Sequence, residues 1–515
     1  MINTGLSTDP GARLVRSSVN SNQRRTSLFG AIATLGALAL LFAAWITQAA
    51  TNRVVSGSVV LASFALLLVC LIPLIRYRFQ RSPTRSIEPT ITFSLIYFLV
   101  FGLGAMHAAL DPTAYGRLLA DPLPGLLIAL AGLPLLLIGY YALPAKSLQS
   151  VAARFPDWND RPAIVAAGLL MLVGAAGLSQ VFQSGRYFFL ATTTSQPSSD
   201  QSVIGFLQGL FFVGLTILAI VAFKSNRRAL VWAVVIIALA CAVALLPTGR
   251  RYWLLYAAAA VVIPYHFYRR AIPVKMIVAA LLALVFVLYP VGQLYRTASA
   301  SVLNSGPSQV PGLVQSAASD LSKMTPGEYL DFSLTSAFGR VNYALILTRL
   351  EETYPQREDY LYGQTYLPAV TSLIPRYFWQ DKPTFDYYNQ FGRSTGILLP
   401  TDTGTTVLFS SVGELYLNFG PIGLVVGMLL YGLLFKSFYS VVEMSRRSPS
   451  AVLLYGLVFL DLVRVEGPLG PALPGDLRWF FVGVVTLFVC GAIRGRQRDP
   501  SPGGLIRQPV VARRS

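Results

Sequence analysis

An all-α, polytopic membrane protein is the fold class the sequence predicts, with about twelve transmembrane helices and one large extracytoplasmic loop between helices 9 and 10. Three observations predict it. Of 515 residues, 54% are hydrophobic and 12% charged, with a mean hydropathy of +0.57, which is more apolar content than one soluble core takes up. Apolar runs of roughly 18 to 22 residues recur between short polar breaks, and in a bilayer such runs satisfy their backbone groups only as helices. The basic residues, finally, gather on every second break.

In chain order, a cytoplasmic N-terminal arm (1–26) carries Arg13, Arg16, Arg24 and Arg25. Helices 1–9 (27–295) follow as apolar runs at roughly 27–48, 56–75, 89–109, 122–143, 162–183, 202–223, 229–247, 252–268 and 276–295. The first lacks a small-residue cleavage site and precedes many further spans, so it reads as a retained helix rather than a signal. An extracytoplasmic loop domain (296–419) contains no run long enough to cross. Helices 10–12 (420–494) are drawn at roughly 420–438, 450–466 and 477–494, and a cytoplasmic tail (495–515) closes the chain.

Orientation follows from charge placement. Breaks bearing Arg76, Arg78, Arg81 and Arg85, then Lys146, Arg154 and Arg161, then Lys224, Arg227 and Arg228 fall on the side of the N-terminal arm. Arg269, Arg270 and Lys275, then Lys436, Arg446 and Arg447, and Arg494, Arg496 and Arg498 continue the series. Roughly 26 of the 41 basic residues and about 6 of the 23 acids fall on this face, about +20 net against about −2 on the other, which makes it cytoplasmic by the positive-inside rule. Both termini are then cytoplasmic. The formal net charge of +18 is therefore an orientation signal and does not point to nucleic acid. Cys70, Cys241 and Cys490 sit singly in apolar spans, and His107 and His266 lie at the ends of different spans, so neither a disulfide framework nor a metal site is expected.

Within the loop, 312–324 and 333–352 have helical periodicity, while Ser299, Ser301, Ser305, Pro307, Ser308 and Pro311 mark an irregular start. The remainder is aromatic: Tyr354, Tyr360, Tyr362, Tyr366, Tyr377, Phe378, Trp379, Phe385, Tyr387, Tyr388 and Phe391 are interleaved with Arg, Lys, Asp and Gln. Aromatic faces stack on the apolar faces of sugar rings while amides and charges bond the hydroxyls, so the mixture suits carbohydrate; an interfacial aromatic belt has the same composition.

Cations that break the sidedness rule carry the chemistry. Thr248-Gly249-Arg250-Arg251-Tyr252-Trp253 is a tight outward turn, where two adjacent arginines gain nothing from orientation. Their planar forks suit phosphate oxygens, and snorkelling to lipid phosphates is the alternative. Ile374-Pro375-Arg376-Tyr377-Phe378-Trp379-Gln380-Asp381-Lys382-Pro383 brackets Arg376 and Lys382 between prolines. Arg186 in Gly185-Arg186-Tyr187-Phe188, and Arg340 and Arg349 in the loop, are further anion-site candidates. Gly413-Glu414-Leu415-Tyr416-Leu417-Asn418-Phe419-Gly420-Pro421-Ile422-Gly423 leads into the tenth span and sets Glu414 at the membrane boundary, either as a general base for a sugar hydroxyl or as an anchor for the loop. Asp461, Arg464 and Glu466, near the outer end of the eleventh span, read as a structural ion-pair group.

The stretch Pro375, Arg376, Trp379, Lys382, Pro383 and the run from Gly413 to Gly423 resemble the O-antigen and oligosaccharide repeat-unit polymerases of the Wzy type. The topology is similar too, with a large outer loop late in the chain, and Arg393 and Gly404 meet an arginine-glycine spacing sometimes used to describe that family. The resemblance implies transfer of a growing glycan from undecaprenyl pyrophosphate to a single lipid-linked repeat unit, at the outer face of the cytoplasmic membrane. It implies an inverting C-type glycosyltransferase without metal or nucleotide-sugar cofactor, and a chain-length regulator as a possible partner protein. Glu414 and Arg376 would then be catalytic. Arg250, Arg251, Arg376, Lys382, Arg340 and Arg186 would bind pyrophosphate, and Tyr377, Trp379, Tyr387, Tyr388 and Tyr416 would bind glycan.

An O-antigen-ligase-like enzyme would use the same donor and a different acceptor, and only the Pro-Arg-x-x-Trp stretch separates the two. A protein-mannosyltransferase-like enzyme would need an acidic pair in the first outer loop, where Thr51-Asn52-Arg53-Val54 has none. A flippase or exporter of lipid-linked sugars would need a polar path, whereas the spans hold almost no charge away from their ends. A non-enzymatic scaffold of an assembly complex is the remaining reading.

Overall fold

A computed structural model describes residues 57–80, 83–111, 115–116, 118, 120–142, 148, 150, 158–183, 199–248, 251–299, 307–371, 374, 379, 381, 386–445 and 447–492. The chain divides into two compact units, Met1–Gly57 and Ser58–Ser515. All of the first but Gly57 lies outside the described residues, among them the predicted span at 27–48 and the arginines of the N-terminal arm.

Helices make up its regular structure, and no strand occurs among the described residues. They are α1 (Gly57–Gln80), α2 (Pro89–Leu110), α3 (Leu123–Ala142), α4 (Asp160–Gln183), α5 (Ser199–Ser225), α6 (Arg228–Leu245), α7 (Arg251–Tyr268) and α8 (Val274–Ala298). Then come α9 (Val310–Ser322), α10 (Pro326–Val341), α11 (Tyr343–Thr353), α12 (Tyr387–Ser394), α13 (Ser410–Met444), α14 (Pro449–Val463) and α15 (Leu469–Ala492). Eight candidate spans lie in α1–α6, α8 and α13, each long and apolar enough to cross a membrane. Leu61, Leu172, Val243 and Ile422 are largely exposed on these helices. Apolar side chains turned outward along so many helices mark a lipid-facing surface, so this is an all-α polytopic membrane protein.

The predicted runs 252–268, 450–466 and 477–494 also form helices, α7, α14 and α15, without joining those eight. The reason for α14 is length: 15 residues rise about 22 Å, against a hydrocarbon thickness of about 30 Å.

Two cores hold the bundle. One joins α1, α2, α3, α11 and α13 around Leu66, Phe93, Tyr97, Leu133, Leu347 and Phe435, with the Tyr97 hydroxyl donating to the Ala129 carbonyl at 2.8 Å. The other joins α4, α5, α7 and α14 around Ala167, Leu215, Ile263 and Tyr455. Helix α5 is the most enclosed of the candidate spans, its apolar window 78% buried, and therefore passes through the protein interior.

The predicted loop helices at 312–324 and 333–352 appear as α9, α10 and α11. Thr325 caps α10 reciprocally with Glu328, whose carboxylate accepts from the Thr325 N–H at 2.8 Å, and Pro326 follows at the first helical position. Asn342 divides α10 from α11: its Oδ1 caps Leu345 N at 3.3 Å and its Nδ2 donates to the Gly104 carbonyl at 2.6 Å. A π turn in α8 (Leu284–Leu288) includes Phe286, whose carbonyl accepts from the Tyr329 hydroxyl of α10, tying the loop helices to a span.

Helix α13 starts ten residues before the predicted tenth span. Gly420 (φ 61°, ψ −148°) kinks it ahead of Pro421, so Ser410–Phe419 and the rest of the helix take different directions. A side chain at that φ is strained, and a Cβ there would stand 2.6 Å from the Tyr360 hydroxyl.

Candidate functional site

At the end of the bundle where 359–366 and α12 pack, α6 turns into α7, α14 ends and α15 begins. Here α5, α7, α14 and α15 enclose a cavity of about 260 Å³. Its aromatic wall is Phe212, Trp253 and Trp479, with the Trp479 indole lying against Gly209 of α5 and stacked on Phe206 at 5.6 Å. The polar residues are Thr216, Tyr252, Tyr256, Asp461 and Arg464. Tyr252 and Tyr256, one turn apart on α7, donate to different oxygens of Asp461; the Tyr256 bond is 2.6 Å, and the two hydroxyls lie 2.6 Å apart. Arg464 Nη1 lies 3.8 Å from Asp461 Oδ1, and its guanidinium sits 5.1 Å from the centre of the Tyr252 ring. The expected Asp461–Arg464 pair is therefore present, and it lines a cavity.

Tyr252 directly follows Arg251, the first residue of α7, of which only the backbone is described; Arg250 lies outside the described residues. On the same turn Leu246 and Leu254 line a second cavity of about 250 Å³, with Leu288, Val291, Val314, Ala317 and Leu321 of α8 and α9. The arginine pair thus falls in the chain between residues of an aromatic, polar cavity and residues of an apolar one.

Glu414 is fully buried in the first part of α13. Both its oxygens accept the Gly470 N–H at 3.0 Å, at the N-terminus of α15, where the helix dipole and unpaired amides favour an anion. A Cβ on Gly470 would stand 2.6 Å from Glu414 Oε1 and 2.2 Å from the Thr365 carbonyl, so glycine permits the approach. Asn418, one turn on, accepts the Gly363 N–H at 2.8 Å and donates to Thr365 Oγ1 at 2.7 Å. Leu361 N and Tyr362 N bond the carbonyls of Leu417 and Asn418, and Ser411 N bonds that of Val465. The Gly-Glu-x-Tyr-x-Asn segment is thus clamped between the chain at 361–365 and α15.

Of the residues expected to bind glycan, Tyr388 stacks on Phe409 at 5.0 Å, Tyr416 is buried edge-on to Tyr360, Tyr387 is half-buried and Trp379 is exposed. Burial pushes the Tyr388 phenol well above its ordinary pKa; Glu414 and Tyr366 add to this and Arg464 opposes it. Arg186, Arg376, Tyr377 and Lys382 lie outside the described residues, and Arg340 is described by its backbone alone. Among the described residues no three His, Cys, Asp or Glu side chains converge on a point that could hold a metal.

Fold and site together define a polytopic membrane protein with an aromatic, acid-bearing cavity at one end of its bundle. A family model described as O-antigen polysaccharide polymerase Wzy matches residues 164–465, more than half of the chain, and the chain belongs to that family. It is a membrane enzyme of polysaccharide biosynthesis that polymerises repeat units into O-antigen. The match runs from α4 through Tyr252, Tyr256, Glu414, Asp461 and Arg464. No curated protein and no solved structure is significantly similar to the chain.

Sequence reading missed the cavity itself. Two signals pointed to it: tyrosines four apart at 252 and 256, on one helix face, and an acid at 461 inside an apolar run.

Proposed function

We propose that the chain transfers a growing glycan from undecaprenyl pyrophosphate to a lipid-linked repeat unit, at the outer face of the cytoplasmic membrane. The reaction inverts the anomeric centre and uses no metal or nucleotide sugar. One observation carries the reading: along the α6–α7 turn, Leu246 of an apolar cavity, two arginines, and Tyr252 and Trp253 of an aromatic, hydroxyl-bearing cavity follow one another. That is the order of groups in a sugar joined through diphosphate to a prenyl chain.

In this scheme Arg250 and Arg251 take the diphosphate, and as the bond to the anomeric carbon breaks they stabilise the charge developing on the leaving group. Arg376, Lys382, Arg340 and Arg186 supply further positive charge from the loops. Trp253, Trp479 and Phe212 line the place for the sugar, with Trp379, Tyr377, Tyr387 and Tyr388 on the approach for the longer glycan and Tyr416 packed beneath it against Tyr360. Leu246, Leu254, Leu288 and Val314 hold the first isoprene units. Glu414, with both oxygens engaged by Gly470, anchors the segment that carries the loop to the bundle. A chain-length regulator would act on this assembly as a separate protein.

The test is reconstitution. Purified protein in nanodiscs, given a synthetic prenyl-diphosphate repeat unit without ATP or nucleotide sugar, is expected to yield a ladder of lengthening lipid-linked products. A single transfer to a non-lipid acceptor would favour a ligase, and vesicle crossing without lengthening a flippase.

A further inference from the structure

We propose that Asp461 is the general base that takes the proton of the attacking acceptor hydroxyl. The inference rests on the transfer reaction above and goes beyond it by naming the group that makes the acceptor nucleophilic.

Joining two sugars forms a bond between the acceptor oxygen and the anomeric carbon while the bond from that carbon to diphosphate breaks. The bonding pair leaves with the diphosphate, and the acceptor proton needs a base within hydrogen-bond reach. Two buried acids stand near the α14–α15 junction. Glu414 is fully buried against the Gly470 N–H and is not among the residues that line the aromatic cavity. Asp461 lines the cavity.

The surroundings of Asp461 suit the role. An ionised carboxylate has about four acceptor positions. Tyr252 and Tyr256 occupy one on each oxygen, fixing the plane of the carboxylate and leaving acceptor capacity on both. Arg464 stands at one side of the carboxylate, its Nη1 3.8 Å from Oδ1 and its guanidinium over the Tyr252 ring. Trp253 and Trp479 line the same cavity, and about 260 Å³ accommodates a monosaccharide residue. Arg251, proposed above for the diphosphate, immediately precedes Tyr252 in the chain. The proton then passes from Asp461 to the released diphosphate or to water, which restores the carboxylate.

The test compares Asp461→Asn with wild type in nanodiscs, using the natural acceptor and an analogue whose attacking hydroxyl is replaced by a thiol. A thiol, with a pKa of about 8.5 in cysteine, is already partly ionised in neutral solution and depends far less on a base than a hydroxyl does. Asp461→Asn is expected to lower kcat with the hydroxyl acceptor about 10³-fold at unchanged donor KM, and to run within about threefold of wild type with the thiol. Equal losses with both acceptors, or a hydroxyl rate within about threefold of wild type, would overturn the assignment. If the asparagine variant does not fold, Asp461→Glu serves, with a larger loss expected for the hydroxyl than for the thiol and an equal loss overturning it. A wild type that lengthens neither acceptor overturns the transfer reading, and the base with it.

Discussion

Replacing Arg250 and Arg251 together by alanine is expected to lower kcat/KM for chain lengthening by about 10³-fold or more, with membrane insertion intact. The bond from anomeric carbon to diphosphate cannot break without charge accumulating on the leaving oxygens, and fixed donors at that position act in the transition state more than in the ground state. The loss should therefore fall mainly in kcat. Lysine at both positions should restore only part of the rate, because it keeps the charge and loses the planar fork. Steady-state kinetics of the reconstituted variants is the measurement. Arginines that only snorkel to lipid phosphates would give wild-type turnover.

Glu414→Ala is expected to destabilise the fold by about 3 kcal/mol and to loosen residues 307–409. The substitution leaves the buried Gly470 N–H without its acceptor and opens a void beneath Thr365, where the clamp on the loop is made. Glu414→Gln keeps the volume and one oxygen, so it should recover most of the stability. Thermal unfolding in detergent, read with protease sensitivity of the loop, measures both variants. Unchanged unfolding with abolished turnover would move Glu414 from anchoring to chemistry.

The fold class was legible in the sequence because lipid imposes so strict a rule: an apolar run of some 20 residues has one stable form there. The loop helices were legible through local periodicity at 312–324 and 333–352, whereas the start of α10 at Pro326, set by the Thr325–Glu328 cap, was not drawn from it. The start of α13 was not, since Ser410–Phe419 has the polar content of a loop and is helical because Gly470, Thr365 and Val465 satisfy it from elsewhere in the chain. The Gly-Glu-x-Tyr-x-Asn run drew notice as chemistry, and its polar groups turn out to be engaged by the backbone of the loop and of α15. Asp461 shows the reverse: on the sequence it is an acid three residues from an arginine, and only the crossing of α7 and α14 brings two tyrosines to it. Pairings over some 200 residues leave no local mark.

The most direct test of where the reaction takes place is photo-crosslinking with a prenyl-diphosphate donor that carries a photoreactive group on its first sugar. The adducts are expected on α7 and α15, at Tyr252, Trp253, Tyr256 or Trp479, and to be lost when unmodified donor competes. Competable adducts confined to the opposite end of the bundle, around Glu88, Tyr140 and Lys436, would contradict the account.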